Sequence, residues 1–231
     1  MAKVIVVGGG IMGASVAYHL VRGGAEVLLV DRKDAGQATE AAVGMICPWI
    51  SKRRNQAWYQ LAKRGARYYP LLVEELKAQG ISKAGYARVG VLSLHRDEKK
   101  LDEVEERAYL RRKDAPEMGE ISRLAPKQTQ ALFPPLADGY GAVLIRGGAR
   151  VDGRELSKAM VEAAKRKGMA VLQGHADLLW QKEDVIGIKV NGQTYEADQV
   201  VLCAGAWLNT LLAPLGLVSQ VFPQKGQIIH L

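Results

Sequence analysis

Lys3-Val4-Ile5-Val6-Val7-Gly8-Gly9-Gly10-Ile11-Met12-Gly13 is the stretch whose reading decides the fold. Lys3–Val7 is a continuous branched apolar run that meets three glycines, the pattern of a parallel strand buried on both faces. Ile11–Arg22 has helical spacing and stops at Gly23-Gly24, a C-terminal helix signal. Glu26–Val30 is a second apolar strand, closed by Asp31. Strand, turn, helix and strand within about thirty residues make a βαβ unit. Its glycines have mechanical meanings. Gly8 permits the tight turn out of the strand, Gly10 lets backbone approach a pyrophosphate, and Gly13 lets the helix sit close to the strand. The helix N-terminus, with Ile11 and Met12 at its start, presents free N–H groups to phosphates. Asp31 lies 18 residues after Gly13, where a carboxylate accepts hydrogen bonds from ribose hydroxyls and disfavours a 2′-phosphate. The spacing predicts a dinucleotide site and leaves NAD and FAD both open.

Outward from this unit, Ala35–Gly44 is small and polar and reads as a loop entering a short helix. Asn55–Gln79 and Asp97–Lys113 read as helices, Tyr86–His95 and Gly139–Ile145 as strands, and the proline-bearing stretch Pro116–Pro135 as irregular. From Asp152 the α/β pattern returns. Gly153–Lys167 is an amphipathic helix ending at Gly168, and Ala170–Leu172 is a short strand. Asp177–Trp180, Val185–Val190 and Thr194–Ala197 suggest a meander. Gln199–Leu202 is an apolar strand leading into Ala204-Gly205-Ala206, Leu208–Leu215 is helical, and Val221–Leu231 alternates like a strand. The expected class is α/β, a discontinuous nucleotide domain formed by residues 1–85 and 146–214. An interleaved α+β domain is expected from 86–145 and 215–231.

The chain has 231 residues, a net charge of +8 and 48% hydrophobic residues, so a folded chain with a sizeable core is expected. Its basic clusters, Lys52–Arg54, Arg111–Lys113 and Lys165–Lys167, are scattered, and two stand among acids on helix-like segments. That pattern is a solvated helix face rather than a nucleic-acid surface. Cys47 and Cys203 form no CxxC pair, which excludes a metal framework and fits a reducing, cytoplasmic setting. No apolar stretch of about 18 residues predicts a membrane span, and the early first strand leaves no room for a secretory signal.

Gly36-Gln37-Ala38-Thr39-Glu40-Ala41-Ala42-Val43-Gly44-Met45 resembles the second flavin segment of the D-amino-acid oxidase and glycine oxidase superfamily. The resemblance continues, in order, through Val151-Asp152-Gly153, Ala204-Gly205-Ala206-Trp207 and Pro223-Gln224-Lys225-Gly226-Gln227. It implies FAD as cofactor and a Rossmann-like FAD-binding domain with an interleaved substrate domain. Carried over by position, Thr39, Ala42, Gly44 and Met45 touch the flavin or its phosphates. Ala204, Gly205 and Trp207 lie near the adenine end, Arg32 covers the adenine, and Ala176 is a looser match for the family's adenine contact. The implied reaction is oxidation of the C–N bond of a small amino acid or secondary amine, with hydride passing to the flavin and the imine hydrolysing to a keto acid and ammonia.

Two other readings stand beside this one. An NAD-dependent dehydrogenase is opposed by the Thr39–Met45 and Gly205–Trp207 segments; a non-catalytic FAD-binding module is the other. No histidine has a paired acid at a telling spacing, and Cys47 reads as a small buried residue. Family members run further than Gly226-Gln227, and their substrate-binding arginine and active-site tyrosine lie in that later part. A chain truncated at its C-terminus, catalytic residues unassigned, is therefore expected, with self-association through an exposed final strand edge as a corollary.

Overall fold

The computed structural model describes residues 1–226, and the chain falls into two compact units. The first comprises 1–43, 76–85 and the part from Asp152 onward; the second comprises 44–75 and 86–151.

The first unit is built on a parallel sheet in the order Gln199–Leu202, Lys3–Val7, Glu26–Asp31, Ala170–Gln173. Val6 is in register with Val201 on one side and Leu29 on the other. Successive side chains alternate between the faces of a strand. Ile5, Val7 and Val30 enter one core with Ala176, Leu178, Ile188 and Val190 of the antiparallel meander Ala176–Gln181, Asp184–Val190, Gln193–Glu196. Val4 and Val6 are buried as well, on the other face. That two-sided burial is why the first strand carries no polar alternation. The helices Ile11–Arg22 and Gly153–Arg166 pack against each other, with Ala14 and Ala17 buried on one and Ala159 and Ala163 on the other. Asp152 caps the second helix by accepting from the Arg154 and Glu155 amides.

The second unit holds an antiparallel sheet, Val91–His95, Gly141–Ile145, Ile121–Leu124, with the helix Glu98–Arg112. Trp49, Tyr59, Leu101, Val104, Met118 and Ile145 are buried in its core. A smaller sheet pairs Ala149–Val151 with Met45–Ile46 and with Tyr86–Arg88.

The sequence expectation needs revision at several elements. The single strand expected over Tyr86–His95 is two strands in different sheets, separated at Gly90, whose φ of +76° turns the chain. The stretch expected to be irregular contains the strand Ile121–Leu124 and the helix Pro126–Leu132, because proline at the first helical position starts a helix. Residues 221–226 form no strand, and the remainder of that expected strand, with Gln227 and His230, lies outside the described residues. Residues 44–75 and 146–151, expected with the nucleotide domain, group with the second unit, where Trp49, Tyr59 and Ala66 enter the core; 215–226 group with the first. Among the described residues no helix is long and apolar enough to cross a membrane.

Candidate cofactor site

Loops following all four parallel strands line one cavity of about 1240 Å³ in the first unit. Ligands of open parallel sheets bind at this carboxyl edge, and the volume exceeds the roughly 300–1,000 Å³ of ordinary small-molecule pockets. The first loop contributes Gly8, Gly10, Ile11 and Met12. Gly8 has φ +107°, and a Cβ there would stand 2.3 Å from the Cys203 carbonyl oxygen. Gly13 does not line the cavity. Its Cβ would fall 1.7 Å from the Gly8 oxygen, so its missing side chain lets the helix rest on the turn. Gly10 is the helix N-cap and offers no side-chain cap, and the first turn carries no acid.

Asp31 is 8% exposed and fully engaged within the chain. Its Oδ2 accepts from the Gly9 N–H at 2.5 Å; its Oδ1 accepts from the Lys33 N–H at 2.7 Å and Gln37 Nε2 at 3.1 Å. The acid expected to receive a ribose thus also ties the glycine turn to the second strand. Thr39 and Ala42 line the cavity, and Thr39 Oγ1 accepts the Ile11 N–H at 2.8 Å.

Arg32, Ala176, Ala204, Gly205 and Trp207 also line the cavity. The Arg32 guanidinium lies 5.9 Å from the Trp207 ring centroid, pairs with Asp34, and reaches His175 Nδ1 at 3.2 Å. His175 is a residue sequence spacing does not find. Its Nε2 stands 3.3 Å from Oδ1 of Asp177, two residues on in the strand Ala176–Gln181. Pro223–Gly226 also line the cavity. Gly44 and Met45 belong to the second unit and are not among the lining residues; Gly44 has φ +68° beneath the Val151 carbonyl, and the Met45 side chain is exposed.

Neither thiol is activated. Burial pushes Cys47 up to about 12 and also raises Cys203, which lines the cavity. Both are free, and among the described residues no group of His, Cys, Asp or Glu could hold a metal ion. Two of the three basic clusters are tied down internally. Arg111 donates to the Trp49 and Ser51 carbonyls, and Arg166 donates to Glu162 and to the Gln79 carbonyl.

The model of the DAO family, FAD dependent oxidoreductase, matches residues 3–231. The chain belongs to this FAD-dependent oxidoreductase family. The uncharacterized oxidoreductase YurR of Bacillus subtilis (strain 168) is 53% identical over 230 residues, covering 100% of this chain and 62% of that protein. The glycine oxidase of Pseudomonas putida is 30% identical over 98% of this chain and 61% of its own length. The crystal structure of iminodiacetate oxidase (IdaA) from Chelativorans sp. BNC1 superposes with a TM-score of 0.91 at 43% identity, covering 96% of this chain and 60% of that one. The chain therefore spans about 60% of the length of these relatives. The family's cofactor is FAD, and the cavity's residues fit it: a helix end whose N-cap, Gly10, brings no side chain, a glycine turn packed too closely on the chain's own backbone to admit a Cβ at Gly8 or Gly13, and an acid at the end of the second strand.

Proposed function

We propose that this chain forms the FAD-binding part of an oxidase or dehydrogenase acting on the C–N bond of a small amino acid or secondary amine. The observation that carries the reading is the 43% identity and 0.91 TM-score to iminodiacetate oxidase over 96% of the chain, joined to the cavity just described. Gly8, Gly10, Ile11, Met12, Thr39 and Ala42 hold the pyrophosphate, with Gly13 setting the helix behind them. Asp31, Arg32, Ala176, Ala204, Gly205 and Trp207 hold the adenosine. When bound, FAD supplies a two-electron acceptor, which C–N oxidation requires. The chain's residues bind and orient it: backbone N–H groups and the helix dipole offset the phosphate charge, while the Arg32–Trp207 pair walls the aromatic end. A reducing, cytoplasmic setting and small-molecule partners complete the proposal.

The experiment is reconstitution of the purified protein with FAD, desalting, and a visible spectrum. Retained flavin absorbance that iminodiacetate, sarcosine or glycine bleaches without oxygen is the expected result. A colourless protein refutes cofactor binding. A yellow protein that no amine bleaches is a binding module instead.

A further inference from the structure

Two glycines, each at the N-terminus of a different helix, enclose Thr39. On one side, a Cβ on Gly10 would stand 3.0 Å from Thr39 Oγ1, the atom that accepts the Ile11 N–H. On the other, a Cβ on Gly153, the first residue of the Gly153–Arg166 helix, would stand 2.9 Å from the Thr39 backbone oxygen and 3.4 Å from its Cγ2. The nearer atom is backbone, so no rotamer change relieves that approach. The Ala38–Ala41 turn itself would have to move. The two helices are packed on each other, so the slot between them has a fixed width. Gly153 does not line the cavity, whereas Thr39 does.

We infer that Gly153 is a positioning residue for the phosphate end of the cavity. Its missing side chain sets how deeply Thr39 seats between the helices. Through the Thr39–Ile11 hydrogen bond it sets the geometry of the helix end that meets the cofactor. The inference rests on the FAD reading above.

The test compares the wild-type chain with Gly153→Ala and Thr39→Val. Gly23→Ala is the control, since a Cβ there meets only ordinary contacts at 3.4 and 3.5 Å. Binding of FAD and of adenosine, which lacks the pyrophosphate, is measured by titration, and exchange of the Ile11 amide is followed by NMR without ligand. Gly153→Ala is expected to weaken FAD by about tenfold, equivalent to about 1.4 kcal/mol, to leave adenosine binding unchanged, and to speed Ile11 exchange. Thr39→Val keeps the shape facing Gly153 but removes the Ile11 acceptor, and is expected to reproduce the same split. Wild-type FAD binding beside an unaffected Gly153→Ala, or equal loss of FAD and adenosine, overturns this inference alone. Unaltered FAD binding in Thr39→Val refutes the route through Thr39. A wild-type chain that binds no FAD overturns the inference together with the cofactor reading.

Discussion

Replacing Asp31 by asparagine tests the hydrogen bonds that hold the glycine turn. The carboxylate serves three donors, Gly9 N–H on Oδ2 and Lys33 N–H with Gln37 Nε2 on Oδ1. Asparagine has the same shape but one oxygen. If that oxygen faces Lys33 and Gln37, the new NH₂ faces the Gly9 N–H, donor against donor. If it turns the other way, two bonds are lost. The first arrangement is cheaper, and it removes one bond to a charged acceptor, worth about 1.5–3 kcal/mol. It also removes the charge assistance from the two bonds that stay. Asp31 is buried, so water does not compensate. Together the cost is about 3 kcal/mol, which at a urea slope of about 2 kcal/mol per molar lowers the midpoint by about 1.5 M. Urea unfolding without cofactor, followed by circular dichroism, measures it. A loss under about 1 kcal/mol with an unchanged slope would refute the reasoning, because it would mean that the turn is not held by this carboxylate.

Other outcomes follow from the same structure. Gly13→Ala sets a Cβ 1.7 Å from the Gly8 oxygen, a backbone atom that cannot swing aside; thermal unfolding should show a loss of about 3 kcal/mol, at the upper end of overpacking penalties. Asp152→Ala removes the cap of the Gly153–Arg166 helix and should cost about 1 kcal/mol at neutral pH. Its hydrogen bond with Arg154 holds the Asp152 carboxyl down at about 2, below its unfolded value of about 3.9. The stabilisation is therefore present above about pH 4 and lost as pH falls through about 2, so the two proteins should converge in acid melts. Lys63 is buried and donates to the half-exposed Asp114 at 2.5 Å. Asp114→Ala strands the ammonium and should cost about 1–2 kcal/mol in denaturant unfolding, whereas Lys63→Met should change stability by less than about 1 kcal/mol; equal effects would contradict the asymmetry.

Much of the first unit was legible in the sequence because its signals are local. Lys3–Val7, the glycine spacing and Asp31 define strand, turn, helix and acid through steric rules that act over a few residues. The same locality explains the errors. Gly90 splits a run that looks continuous, since a positive φ can redirect a chain without interrupting its apolar pattern. The strands Met45–Ile46 and Ala149–Val151 are too short to show a period and exist only by pairing across the sequence.

By itself the sequence determined the βαβ unit and the glycine turn, carried by residues near one another in the chain, while the cofactor and the family frame came from a resemblance in short segments taken in order along the chain. Only the tertiary structure decided the rest. It brought His175 and Trp207 to Arg32 from loops far apart in sequence, and set Gly153 against Thr39. It also engaged Asp31 with three internal donors and grouped residues 44–75 with the second core. Those facts depend on packing and register between distant segments, and no local spacing encodes them.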